Sequence, residues 1–203
     1  ALAEFDTVLE NPLSCPDVPP ANVRYWRAWS YYQLGQTQQA MDDFTQAEAS
    51  NDYGLTAKYM RIRISRTQNP ENQEFLQQSI DELNGLVAHP NIQTNLKDKA
   101  LLFRNLMRLQ LGEILYKQNN MESSKRYFQG IQAEQDSITN RNMSEINALI
   151  RTNALAWMIH EILSQEQELE EQIVNRVRNT QLARSEDEQL QQLTSYHQSL
   201  MDL

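Results

Sequence analysis

A single cysteine, Cys15, leaves the chain without an internal disulfide. Its setting, Ser14-Cys15-Pro16, has no neighbouring Cys or His, so it reads as an ordinary loop thiol and not as part of a metal site. No uninterrupted apolar run approaches the roughly 18 residues that a membrane span requires, and membrane insertion is not expected. Basic charge is also scarce. A net charge of −9 argues against direct contact with nucleic acid or an anionic membrane, because phosphate binding needs a basic surface that releases counterions. Catalytic signatures are missing as well: His89, His160 and His197 lie far apart, and His160-Glu161 lacks the second histidine of a zinc-protease motif. There is no phosphate-cradling glycine run and no G-x-S-x-G turn. Glu166, Glu168, Glu170 and Glu171 read as the solvated side of a helix, and Asn142-Met143-Ser144 as a helix start in preference to a glycosylation sequon. Neither an enzymatic activity nor a cofactor or metal is expected.

Glycine and proline number only five and six, and Leu, Gln, Glu, Ala, Met and Arg fill the intervals between them. These are good helix formers, so an all-α chain is predicted. Pro12, Pro16, Pro19, Pro20, Pro70 and Pro90 fall between apolar-periodic segments, where a missing N–H breaks no helix. With 203 residues the chain can bury a core without staples.

Internal repetition is present but irregular. Between Ala21 and Asp52 stand Ala28, Tyr31, Tyr32, Leu34-Gly35, Ala40, Phe44 and Ala47, with a turn at Gly35-Gln36-Thr37. Small residues at Ala28, Ala40 and Ala47 allow two helices to approach closely, with aromatics filling the space beside them. A small residue, a bulky one four further on and an apolar one three beyond recur as Ala1/Phe5/Val8, Ser79/Leu83/Leu86 and Ser124/Phe128/Ile131. That spacing alone is an amphipathic face. The coupled upstream signal is more specific: twelve residues before Ala40 and Ser124 stand Ala28 and Gly112, and eight before them stand Tyr32 and Tyr116.

The pattern resembles the tetratricopeptide repeat, with its W-x2-L-G-x2-Y, A-x3-F and P positions. That resemblance implies a superhelix, or solenoid, of antiparallel helix hairpins. Departures are plain. The intervals between Ala1, Ala40, Ser79 and Ser124 are 39, 39 and 45 residues against a family period of about 34. Arg24 and Arg27 stand where the family has its Trp and Leu. The extra length is assigned to Leu13–Pro20, to Gln68–Gln73 and to a helix running from about Asn95 to Lys117. Another helical-hairpin solenoid is the alternative.

Irregular repeats are expected over residues 1–135 and a degenerate helical cap over 136–203. Ala1–Leu9 matches a second helix without its first, so a preceding helix is expected in a longer protein. A capping residue at Asn142, three before Glu145, precedes Ile146, Leu149, Ile150, Ala154, Leu155, Trp157, Met158 and Ile162, a wide apolar face expected to be buried on two sides. A separate charged helix with Leu169, Ile173, Val177 and Leu182 follows. Ser185-Glu186-Asp187-Glu188 then opens a last helix with Leu190, Leu193 and Leu200.

The resemblance further implies a concave groove, lined by first helices, that binds an extended peptide or a helix of a partner protein. Carried over, the groove residues are Asn22, Tyr25, Trp29, Tyr32 and Gln33, then Tyr59, Arg63 and Arg66, then Leu109, Glu113, Tyr116 and Lys117. Aromatics at helical spacing are also core formers, with Trp26 and Tyr31 the alternatives for the hairpin interior. Arg63 and Arg66, three apart, share a side and could grip a carboxylate, or simply form a solvated face. Tyr25 and Trp29 occupy the Lys and Asn positions of a carboxylate clamp, which argues against that clamp. The function expected is a scaffold or adaptor binding another protein. The alternatives are a ligand-responsive segment of a signalling or transcription protein, and a structural subunit of an assembly. Oligomeric state and compartment are not encoded legibly; cytoplasm is preferred to periplasm.

Overall fold

The computed structural model describes residues 2–133 and 138–180, which divide between two compact units, 1–155 and 156–203. Among the described residues every regular element is helical. The first unit contains α1 (Leu2–Glu10), a 3-10 turn (Pro12–Ser14), α2 (Pro20–Gln33), α3 (Thr37–Ala47), α4 (Gly54–Gln68), α5 (Gln73–Val87), α6 (Thr94–Lys117), α7 (Met121–Gln132) and the start of α8 (Arg141–Thr180). Pro19 and Pro20 open α2, where a fixed φ suits the first turn and no N–H is needed. Asn72 and Asn120 cap α5 and α7 by accepting the backbone N–H groups of Phe75 and Ser123.

The α2–α3 and α6–α7 turns have the same geometry. Gly35 and Asn119 lie at φ 73° and 63°. Behind them Gln36 N–H reaches the Tyr31 carbonyl at 2.9 Å and Asn120 N–H the Leu115 carbonyl at 2.9 Å, while Gly35 and Asn119 bond to Tyr32 and Tyr116. This is the Schellman arrangement, which satisfies the last helix carbonyls and reverses the chain. Helix residues equidistant from each turn therefore meet. Ala28 and Ala40 are fully buried in one core. At the other crossing the Ser124 hydroxyl donates to the Gly112 carbonyl at 2.8 Å, and a Cβ on Gly112 would stand 2.5 Å from Phe128 Cε1. The small-residue couplings thus sit at the helix crossings, as the repeat pattern requires.

The excess segments also fall where the spacing assigned them: the turn and irregular stretch before Pro20, the α4–α5 loop with C-cap Asn69, and the 24-residue α6. Arg24 and Arg27, at the positions where the resembled repeat pattern has Trp and Leu, form an ionic tie instead. Asp43 of α3, 3% exposed, accepts from Arg27 Nε at 2.6 Å and Nη2 at 2.7 Å, and Arg24 lies 3.7 Å away. Arg27 Nη1 also reaches Asp6 of α1 at 2.7 Å. The bidentate Asp43 contact above all, opposed by burial and aided by Asp6, raises the Arg27 pKa.

Two expectations for α8 are corrected. The capping side chain is Asn140, which accepts Met143 N–H at 3.2 Å, and not Asn142. The helix then continues unbroken from Arg141 to Thr180 where two helices were expected. Within the first unit its buried stripe is narrow, comprising Asn147, Ile150 and Ala154, while Leu149 is 66% exposed, so it is not buried on two sides. Asp98 of α6 anchors its start by accepting from Thr139 N–H, Thr139 Oγ1 and Asn140 N–H at 3.1, 2.7 and 2.9 Å. Asn105 donates to Asn147 at 3.0 Å. The described part of the second unit, 156–180, is helical, with Leu169 and Ile173 half-buried. Expectations for Ala1, Gln135, Leu182, Ser185–Glu188, Leu190, Leu193, His197 and Leu200 lie outside the described residues, as do those for the side chains of Glu166, Glu170 and Val177.

Candidate partner-binding surface

The two adjacent aromatics of α2 have opposite fates. Tyr25 is 7% exposed and stacks on Tyr53 at 4.5 Å between ring centroids, with Phe44 at 6.0 Å and Trp29 at 6.5 Å around it. Burial raises its phenol pKa. Trp26 is 49% exposed and meets Tyr25 and Tyr53 only edge-on. Tyr25, expected in the groove, therefore belongs to the core, and Trp26, one of the two alternatives for the hairpin interior, is the exposed ring.

Trp29 is half-buried between Phe44 and Tyr32, at 6.0 and 5.8 Å. Together with Trp26, Ser30, Gln33 and Leu34 of α2 and its C-cap, and Leu2 and Phe5 of α1, it lines an open cleft of about 630 Å3. No lining side chain is charged. Aromatics of this kind present a large contact area with little rotamer entropy to lose. Asn22 is engaged elsewhere: it donates to Asp52 at 3.0 Å and accepts from Ser50 at 2.6 Å, fastening the α3–α4 loop.

A second patch joins α4 to α6. Tyr59 is also 7% exposed and sits edge-on to Phe103 at 6.0 Å. Burial raises its pKa, with Arg63 opposing the rise. The Arg63 guanidinium lies 5.7 Å from the Tyr59 ring centre, and that of Arg66 lies 5.6 Å from the Phe103 ring centre. Arg66 also donates to Gln110 Oε1 at 3.1 Å. Gln110 in turn donates to the Pro70 carbonyl, tying the α4–α5 loop to α6. Of the remaining expected residues, Tyr32, Gln33 and Lys117 are exposed, Glu113 and Tyr116 half-buried, and Leu109 buried. The structure thus brings Trp29 and Gln33 into one cleft and Tyr59, Arg63 and Arg66 into one patch, while Asn22 and Tyr25 serve the fold.

Residues 23–49 match the family model described as tetratricopeptide repeat. Comparison with curated proteins and with solved structures returns no match.

Proposed function

We infer a scaffold or adaptor that holds a peptide or helix of a partner protein, a reading supported by the match of residues 23–49 to the tetratricopeptide repeat, a protein–protein interaction module. The observation that carries this reading is the open, uncharged cleft lined by Leu2, Phe5, Trp26, Trp29, Ser30, Gln33 and Leu34. Exposed Trp26 and Leu34 leave apolar area in water that an apolar partner face would cover, at about 25 cal/mol per Å2 removed from solvent. The α2 wall is held by the packing of Tyr25 against Tyr53 and Phe44, so little ordering cost falls on that side. Tyr32 and Gln33 extend the proposed contact surface along α2, and Arg63 and Arg66, backed by the buried Tyr59 ring and by Phe103, offer a second patch on α4. Glu113, Tyr116 and Lys117 complete the proposed surface on α6.

The test is quantitative affinity capture of partners from cell extract by the wild-type chain and by a Trp26→Ala/Leu34→Ala variant. Selective loss of a bound protein from the variant, with an unchanged circular-dichroism melt, supports the cleft. An identical bound set for both proteins would defeat it. Tyr25→Ala is unsuitable as a probe, because removing that ring hollows the core.

A further inference from the structure

Arg24, Arg27 and Arg61 each meet a carboxylate in the first unit. Arg24 and Arg27 reach Asp43, and Arg61 bridges Glu48 at 2.5 Å to Glu82. Arg63 and Arg66, two and five residues beyond Arg61 on α4, have no carboxylate within ion-pair distance among the described residues. Arg63 is exposed, resting on Tyr59 with a long contact to Met60 S at 4.0 Å. Arg66 is half-buried against Phe103, with only the neutral amide of Gln110 to receive its protons. In a chain of net charge −9, two cations held by aromatic faces and left without counter-ions form a charged surface of unusual sign.

We propose that Arg63 and Arg66, presented by Tyr59, Phe103 and Gln110, receive the Asp and Glu side chains of an acidic segment in the partner polypeptide. The proposal rests on the partner-binding function above and gives that partner a charge. Its physical basis is complementarity. Ring faces hold each guanidinium while its in-plane N–H groups meet only neutral acceptors: Arg66 Nε and Nη2 share Gln110 Oε1, and Arg63 Nη1 has the weak Met60 sulfur, so a carboxylate could replace either. Burial pulls the Arg66 pKa below its ordinary value, which means the folded chain bears an uncompensated cost for that charge. A carboxylate arriving at the same place removes that cost. The net negative charge of the chain disfavours acidic segments in general, so a site that takes them must supply its own cations.

A random-peptide display library panned in parallel against the wild-type chain and Arg63→Gln/Arg66→Gln tests this. The expected result is enrichment of Asp and Glu among wild-type binders that disappears with the double variant. A selected acidic peptide should lose about tenfold or more in affinity, the equivalent of one charge-assisted hydrogen bond. Arg126→Gln, which removes an exposed α7 arginine paired with Glu122, should leave that affinity unchanged. Binders without acidic bias, or an acidic bias that survives the double variant, would overturn this assignment while leaving the cleft's function standing. A library that yields no binder to the wild type would overturn both.

Discussion

In the α2–α3 hairpin the left-handed residue beyond the first helix is Gly35, and in α6–α7 it is Asn119. The first crossing is lined by Ala28 and Ala40, the second by Gly112 and Ser124. Phe44 and Phe128 fill the same place beside them, both fully buried. The two hairpins share requirements and differ in the residues that meet them: a backbone able to adopt positive φ, little side-chain volume where the axes cross, and one ring beside the gap. A repeat of this kind is therefore specified by space and handedness at a few positions, and residue identity is free to drift around them.

The largest expected effect comes from that shared ring. Phe44→Ala and Phe128→Ala should each cost about 3–5 kcal/mol in urea-monitored unfolding. Losses differing by more than about 2 kcal/mol would break the equivalence of the hairpins. Next comes the close approach at Gly112. Gly112→Ala places a methyl group against the Phe128 ring and should cost about 1–3 kcal/mol, part of it recovered in a Phe128→Leu background. Additive losses would show that the two residues do not share that gap.

The turn comparison is finer. Nothing lies within 4 Å of a Cβ built on Gly35, so Gly35→Ala is opposed only by its φ and should cost about 1 kcal/mol. Asn119→Gly should act in the opposite direction, stabilising by up to about 1 kcal/mol as the side-chain penalty at φ 63° is relieved. If both changes destabilise, Asn119 contributes something beyond its backbone angle.

The smallest effect is pH-dependent and belongs to the α6 side. Burial opposes ionisation of Asp98, but bonds from the Thr139 hydroxyl and the Asn140 and Thr139 amides outweigh it and hold its pKa below the usual carboxylate value. The stability it contributes is present above the unfolded-state pKa and is lost as pH falls through the lower folded value. Asp98→Asn should therefore flatten the acid limb of a melting-temperature profile. A limb of unchanged steepness would place the acid sensitivity elsewhere.

The parts of this architecture that could be read from sequence are those carried by short covalent spacing. Residues twelve apart across a three-residue turn must face each other, so Ala28 with Ala40 and Gly112 with Ser124 could be paired directly. The orientation of α2 about its own axis could not. Tyr25 and Trp26 are neighbours on that helix, and which ring turns inward is decided by Tyr53, a residue from beyond α3 that stacks on Tyr25. Arg24 and Arg27 likewise looked like departures from the repeat until Asp43 and Asp6 were seen to receive them. The binding surface was only partly legible for the same reason: Trp29 and Gln33 line the cleft, but Leu2 and Phe5 complete it from a different helix. In the first-unit part of α8 the apolar residues marked a helix correctly, yet abundance did not indicate burial: Ile150 and Ala154 are covered while Ile146, Leu149 and Leu155 are exposed.

Arg27 holds α1 and α3 through one guanidinium, and α1 has no fully buried side chain of its own. Its attachment is divided between half-covered aliphatic and aromatic groups and an ion pair whose Asp6 partner is open to water. Dissolved ions screen such a pair while leaving apolar cover almost untouched. Amide hydrogens of Leu2–Glu10 should then exchange faster as salt is added while those of α2 and α3 keep their protection, so that ionic strength loosens one wall of the Trp26 cleft and not the other.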